Sequence, residues 1–149
     1  MPTFSIVVPN DFDAMVALRI DALRESLERL GRFDPNRARE RLASGFAPKY
    51  MQHIELEGQR VGFMTLRPDA EVFKLDHLYV LPSMQSRGIG DWALQHAKAQ
   101  ATAKQCDITL SALQQSDANR FYLRHGFVKI GESEFDIDYR WYVNGKVSA

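Results

Sequence analysis

Gln85-Ser86-Arg87-Gly88-Ile89-Gly90 follows an extended apolar segment and opens a helical pattern. That arrangement suits the binding of a phosphate. The first amides of a helix have no partner within it and carry about half an elementary positive charge from the helix dipole. Glycines at 88 and 90 leave the backbone open to close approach, and Arg87 adds a full charge beside them. A pyrophosphate fits such a turn; the plainer alternative is a tight strand-to-helix connection that needs glycine for packing. Gly88-Ile89-Gly90-Asp91-Trp92-Ala93 also matches the G-x-G-x-x-[G/A] dinucleotide fingerprint. That reading wants an acid at the carboxyl end of the next strand, whereas Asp107 opens it, and too little chain follows for a doubly wound sheet. Glu134, Asp136 and Asp138 alternate along the last strand and present either an attraction for a cationic amine or a solvated polar face. Cys106 is expected to pack rather than react. His53, His96 and His125 show no grouping with carboxylates or thiolates that would hold a metal, so no metal is expected.

The elements around these residues read clearly. Residues 4–8 form a strand stopped by Pro9, and a helix capped at Asn10 or Asp11 follows, with Met15, Leu18, Ala22, Leu23, Leu27 and Leu30 at helical spacing. Gly31 ends it, and Asp34-Pro35 starts a second helix running to about Ser44. Residues 50–56 and 60–66 are strands around Glu57-Gly58, a further strand spans 72–80, and 67–71 is a loop between them. A helix from Gly88 to about Gln105 buries Ile89, Ala93, Leu94, Ala97 and Ala101; then come a strand over 107–112, a short helix over 117–125 closed by Gly126, and strands over 127–130 and 135–143. The order β-α-α-β-β-β-α-β-α-β-β predicts an α/β fold, a mixed sheet with helices on both faces. The unit from 72 to 112 should be a parallel crossover.

Composition sets the frame. The 149 residues carry 19 Lys plus Arg against 19 Asp plus Glu, with 45% hydrophobic and 26% charged residues. One domain over 1–149 is expected, since a chain this long buries roughly 70% of its unfolded surface without disulfides. Charge balance removes the global field of a nucleic-acid binder. A single cysteine suits a reducing compartment, no apolar run approaches membrane length, and Met1-Pro2-Thr3-Phe4 lacks a signal-peptide layout. A cytoplasmic protein without nucleic-acid or membrane partners is expected.

Three features together resemble the GCN5-related N-acetyltransferase (GNAT) family. Gln85-Ser86-Arg87-Gly88-Ile89-Gly90 is similar to its Q/R-x-x-G-x-G/A signature, which binds the pyrophosphate of acetyl-coenzyme A. Leu78-Tyr79-Val80-Leu81-Pro82 is similar to the Leu-x-Val-x-Pro strand before it. Gln115-Ser116-Asp117-Ala118-Asn119-Arg120-Phe121-Tyr122-Leu123-Arg124-His125-Gly126-Phe127 resembles N-x-x-A-x-x-F-Y-x-x-x-G-F. The element order matches as well. Two departures stand out: Gln115 replaces the usual cofactor-fixing Asn, and Lys74 stands where many relatives carry a glutamate base.

The resemblance implies acetyl-CoA as co-substrate and an acceptor that is the primary amine of a small molecule or peptide. It implies a pantetheine arm between the strands over 75–80 and 107–112, with a backbone amide of Leu78, Tyr79 or Val80 polarising the thioester carbonyl. Tyr122 occupies the family position of the acid that protonates the leaving thiolate, and a phenol of pKa ~10 carries that proton at neutral pH. A lysine-like amine of pKa ~10.4 costs about 4.6 kcal/mol to present neutral at pH 7, so a base is needed. Asp76 and His77 are the nearby candidates, and strand alternation sends them to opposite faces. Many relatives dimerise, so a homodimer stays open. The alternatives are a non-catalytic acyl-CoA sensor or scaffold, which the two departures would suit, and the dinucleotide-binding protein.

Overall fold

Proline and glycine set most of the boundaries. In the computed structural model, which describes residues 1–145, β1 spans Thr3–Ile6, and a single 3-10 turn at Pro9–Asp11 leads into α1, Phe12–Arg29. Gly31 takes φ +69° beyond the end of α1, a left-handed conformation that costs glycine little. Asp34 then caps α2, Pro35–Ala43, its carboxylate accepting from the amides of Asn36 at 3.0 Å and Arg37 at 3.4 Å. Asp34→Ala is expected to cost about 1 kcal/mol of stability, read as a lower denaturant midpoint at constant m.

The remaining strands and α-helices are β2 (Met51–Leu56), β3 (Gln59–Asp69), β4 (Val72–Val80), α3 (Ile89–Ala103), β5 (Ile108–Leu113), α4 (Ala118–Arg124), β6 (Val128–Glu132) and β7 (Asp136–Trp141). The strands form one mixed sheet of order β1-β2-β3-β4-β5-β7-β6. Strands β4 and β5 pair in parallel, with Phe73 opposite Ile108 and Lys74 opposite Thr109, as the crossover reading requires. One sequence expectation needs correcting: 67–71 is not a loop, because β3 runs on to Asp69 and only Ala70, at φ +56°, and Glu71 turn the chain. Pro68 sits exposed near the strand terminus, where proline is tolerated.

Contacts divide the described residues into two compact units, 1–65 with 77–93, and 66–76 with the residues from 94 onward. In the first, α1 and α2 cover one sheet face through Val7, Met15, Val16, Leu42, Met51 and Phe63. The buried residues of α1 are Met15, Val16 and Arg19, with Leu18 packed against the same core, so the face read in the sequence is the inner one and Arg19 lies within it. Trp92 of α3 meets Phe4, with ring centroids 4.5 Å apart, on the opposite sheet face. His53 is 1% exposed and its Nε2 bonds the Asp11 carboxylate at 2.9 Å, while Arg60 donates to the other oxygen at 3.0 Å. Those bonds from His53 and Arg60, with one from the Val8 amide, hold the Asp11 carboxyl well below the usual carboxylate range.

In the second unit, Leu94, Ala97 and Ala101 of α3 and Ile108, Leu110 and Ala112 of β5 are buried with Tyr122, Phe127 and Tyr139. Lys98 donates to the His125 carbonyl at 2.6 Å beneath the rings of Phe127 and Trp141, and burial pushes its ammonium down from the ordinary lysine value. Among the described residues, no helix is long and apolar enough to cross a membrane.

Candidate active site

The turn after β4 is built for an open helix start. Ser86 at φ +64° and Gly88 at φ +78° both take left-handed conformations, which reverse the chain before α3. A Cβ on Gly88 would meet nothing within 4 Å, so packing does not require glycine there. Backbone conformation and open space do. The first helical bond runs from the Trp92 amide to the Gly88 carbonyl at 2.9 Å, so the amides of Ile89 and Gly90 precede any partner inside the helix. Arg87 is exposed beside them. Gln85 is bonded within the protein. Its Nε2 donates to the Val80 carbonyl at 2.9 Å, tying the turn back to the end of β4.

Upstream, β4 is held tightly against β3. The Leu81 amide donates to the Val61 carbonyl at 2.8 Å, and a Cβ on Gly62 would lie 2.2 Å from the Tyr79 carbonyl oxygen. Leu78, Tyr79 and Val80 are thus fixed by their neighbouring strand. His77 is 8% exposed, its Nδ1 within 3.1 Å of the Tyr79 hydroxyl, and both rings contact Phe63. Asp76 belongs to the other unit, where Arg67 Nε donates to its carboxylate. The two candidate bases are therefore not equivalent: Asp76 is committed to an ion pair, and His77 to an aromatic cluster with a phenol.

Within the second unit, Tyr122 is 7% exposed and its ring meets Phe121, Phe127 and Tyr139 at centroid distances of 5.2, 5.4 and 6.3 Å. Gln115, at φ +65°, turns the chain between β5 and α4. A residue that the sequence reading passed over organises this segment. Asn119 donates to the Leu113 carbonyl at 2.9 Å and the Ser116 carbonyl at 3.0 Å, and accepts from the Tyr139 hydroxyl at 2.7 Å. Burial raises the Tyr139 pKa, which keeps that phenol a donor. The signal was present as an amide at a free position of the Gln115–Phe127 motif, but its partners are remote in sequence. Lys74 lines an open cleft of about 270 Å³ with Thr109, Leu110, Ser111, Ile130, Asp138 and Tyr139. Of the acidic row, Asp138 accepts from Ser111 Oγ at 2.6 Å, whereas Glu134 falls in the turn before β7.

Comparison with known proteins agrees with this architecture. A search of curated sequences finds no relative that matches. Among solved structures, the chain is similar to the PaiA N-acetyltransferase of Thermoplasma acidophilum in complex with coenzyme A, at 14% identity and TM-score 0.78 over 95% of this chain and 99% of that one. It is similar to an acetyltransferase of Thermus thermophilus, at 17% identity and TM-score 0.74 over 94% and 96% of the two chains. The ribosomal-protein-S18-alanine N-acetyltransferase of Escherichia coli is similar at 17% identity and TM-score 0.72 over 96% and 94%. These likenesses establish the fold. A sequence model described as "Acetyltransferase (GNAT) domain" matches residues 50–129, more than half of the chain and all of the segment carrying the glycine turn, so the chain belongs to the GNAT acetyltransferase family.

Proposed function

We propose that the protein is an N-acetyltransferase that moves the acetyl group of acetyl-CoA to a primary amine by direct attack. The observation that carries this reading is the turn from Gln85 to Gly90. It presents helix-start amides and Arg87 around an open position at Gly88, where a left-handed backbone is kept without any packing demand. The pyrophosphate would sit against the amides of Ile89 and Gly90, with Ser86 and Arg87 alongside. Gln85 contributes by holding the turn through Val80. The coenzyme A complex of the PaiA enzyme supports the choice of cofactor.

The chain's own groups then divide the chemistry. An amide in the segment Leu78–Tyr79–Val80, fixed by β3, donates to the thioester oxygen as negative charge develops there. Tyr122 gives its proton to the departing coenzyme A thiolate. His77 takes the proton of the attacking amine, directly or through water, because Asp76 is already bound by Arg67. Gln115 holds the place of the family's amide, one methylene longer. The sole cysteine, Cys106, supports a cytoplasmic setting, and we read 1–149 as a single acetyltransferase domain.

Two measurements test this reading. A broad panel of primary amines incubated with acetyl-CoA should yield free thiol together with a product heavier by one acetyl group. Gly88→Ala should raise the Kd for acetyl-CoA about tenfold, or ~1.4 kcal/mol, while costing about 1 kcal/mol of stability. An unchanged Kd would mean that the glycine serves the turn alone. Lys74 and Gln115 favour a second reading, an acyl-CoA sensor without catalysis, and tight binding with no product from any amine would establish it.

A further inference from the structure

Arg19 is an anomaly on the inner face of α1. It is 7% exposed, its Nε has no hydrogen-bond partner, and none of the ion pairs among the described residues includes it. A charged donor buried without a partner leaves its desolvation uncompensated. The Tyr79 ring, 5.6 Å from its central carbon, offsets only part of that cost. Thr65 repeats the pattern. It is fully buried on β3, and its hydroxyl has no partner either. Thr65 lies two residues from Phe63, so both project from the sheet face that also carries His77 and Tyr79. One face of one unit thus holds an unpaired cation, an unpaired hydroxyl, and a histidine hydrogen-bonded to a phenol.

We infer that Arg19 binds a carboxylate carried by the acceptor, so that the substrate class is amines bearing a carboxylate, such as amino acids or peptide termini. The inference rests on the proposed acetyl transfer and deepens it. A guanidinium offers a planar fork of donors that matches a carboxylate in two parallel bonds, and Nε belongs to that fork. Tyr79 links the anion-binding group to the candidate base, since it lies under Arg19 and bonds His77. The carboxylate end of the acceptor would therefore be held by the same cluster that receives the proton from its amine.

The test compares matched amines that differ by one carboxylate: leucine with leucinamide, phenylalanine with phenylalaninamide, and 4-aminobutyrate with butylamine. The amine of an amino-acid amide loses its proton more easily than that of the free acid, so a preference for the acid runs against intrinsic reactivity. The wild-type enzyme is expected to favour at least one carboxylate-bearing member by tenfold or more in kcat/KM. Arg19→Gln should collapse that ratio toward one, mainly through KM, with Arg19→Lys intermediate and the Kd for acetyl-CoA unchanged. Equal turnover of acids and their neutral partners overturns the inference, and the wild-type comparison alone decides it if the variants fold poorly. Equal losses on both members in Arg19→Gln also overturn it and leave Arg19 a packing residue. Acetyl-CoA binding, with neutral amines acetylated and no carboxylate-bearing amine accepted, overturns this inference and leaves the proposed function standing. Failure to bind acetyl-CoA removes both.

Discussion

Gly62→Ala is expected to destabilise the protein by about 3 kcal/mol or more, lowering Tm by roughly 10 °C. The added methyl would lie 2.2 Å from the Tyr79 carbonyl oxygen, 3.2 Å from its carbonyl carbon and 3.3 Å from Val80 Cα. All three are backbone atoms, so no side chain can swing away. Relief requires β3 and β4 to move apart, and the bond from Leu81 to the Val61 carbonyl at 2.8 Å opposes that movement. The segment displaced is Leu78–Val80, whose amides are proposed to polarise the thioester. Turnover should therefore fall further than the loss of folded protein explains. Thermal unfolding and single-turnover rates on the same preparation separate the two effects. A variant with wild-type Tm would show that the strands part easily, and would remove the claim that β3 fixes these amides.

Tyr122→Phe should lower kcat by about 100-fold or more, within the 10²–10⁴ that a positioned acid contributes, with little change in acetyl-CoA affinity. The substitution removes one oxygen and keeps the ring among Phe121, Phe127 and Tyr139, so the packing of α4 is retained. Stability should change by less than about 1.5 kcal/mol, the usual net worth of one hydrogen bond. A loss of rate without a loss of cofactor binding marks a group that acts in the transition state. An unchanged kcat would release Tyr122 from the acid's role and leave it as a buried ring of the second unit.

The order of elements was legible because glycine and proline punctuate it, and because α3 follows its helical repeat closely. Ile89, Ala93, Leu94, Ala97 and Ala101 are all buried as their spacing indicated. The short motifs also pointed to the family, since glycine at 88 answers a local backbone requirement that spacing can reveal. Long-range pairings were not legible. Nothing local foretold that Gln85 ties the turn to Val80 or that Asp76 is held by Arg67. Asn119 reaches Tyr139, twenty positions away, through a bond that no local pattern encodes. Arg19 was invisible for a related reason. Met15 and Leu18 of the apolar stripe do face the core, but Arg19 lies among them, and a buried arginine contradicts the pattern that normally identifies a core face.

Calorimetric titration of the protein with acetyl-CoA tests the central claim most directly, because every proposed role depends on the turn at Gly88 holding that molecule. The account predicts saturable binding of one acetyl-CoA per chain with a Kd between about 1 µM and 1 mM, the usual span of substrate constants, weakened about tenfold in Gly88→Ala. No measurable binding at millimolar acetyl-CoA, by a protein whose unfolding shows it to be native, would contradict it.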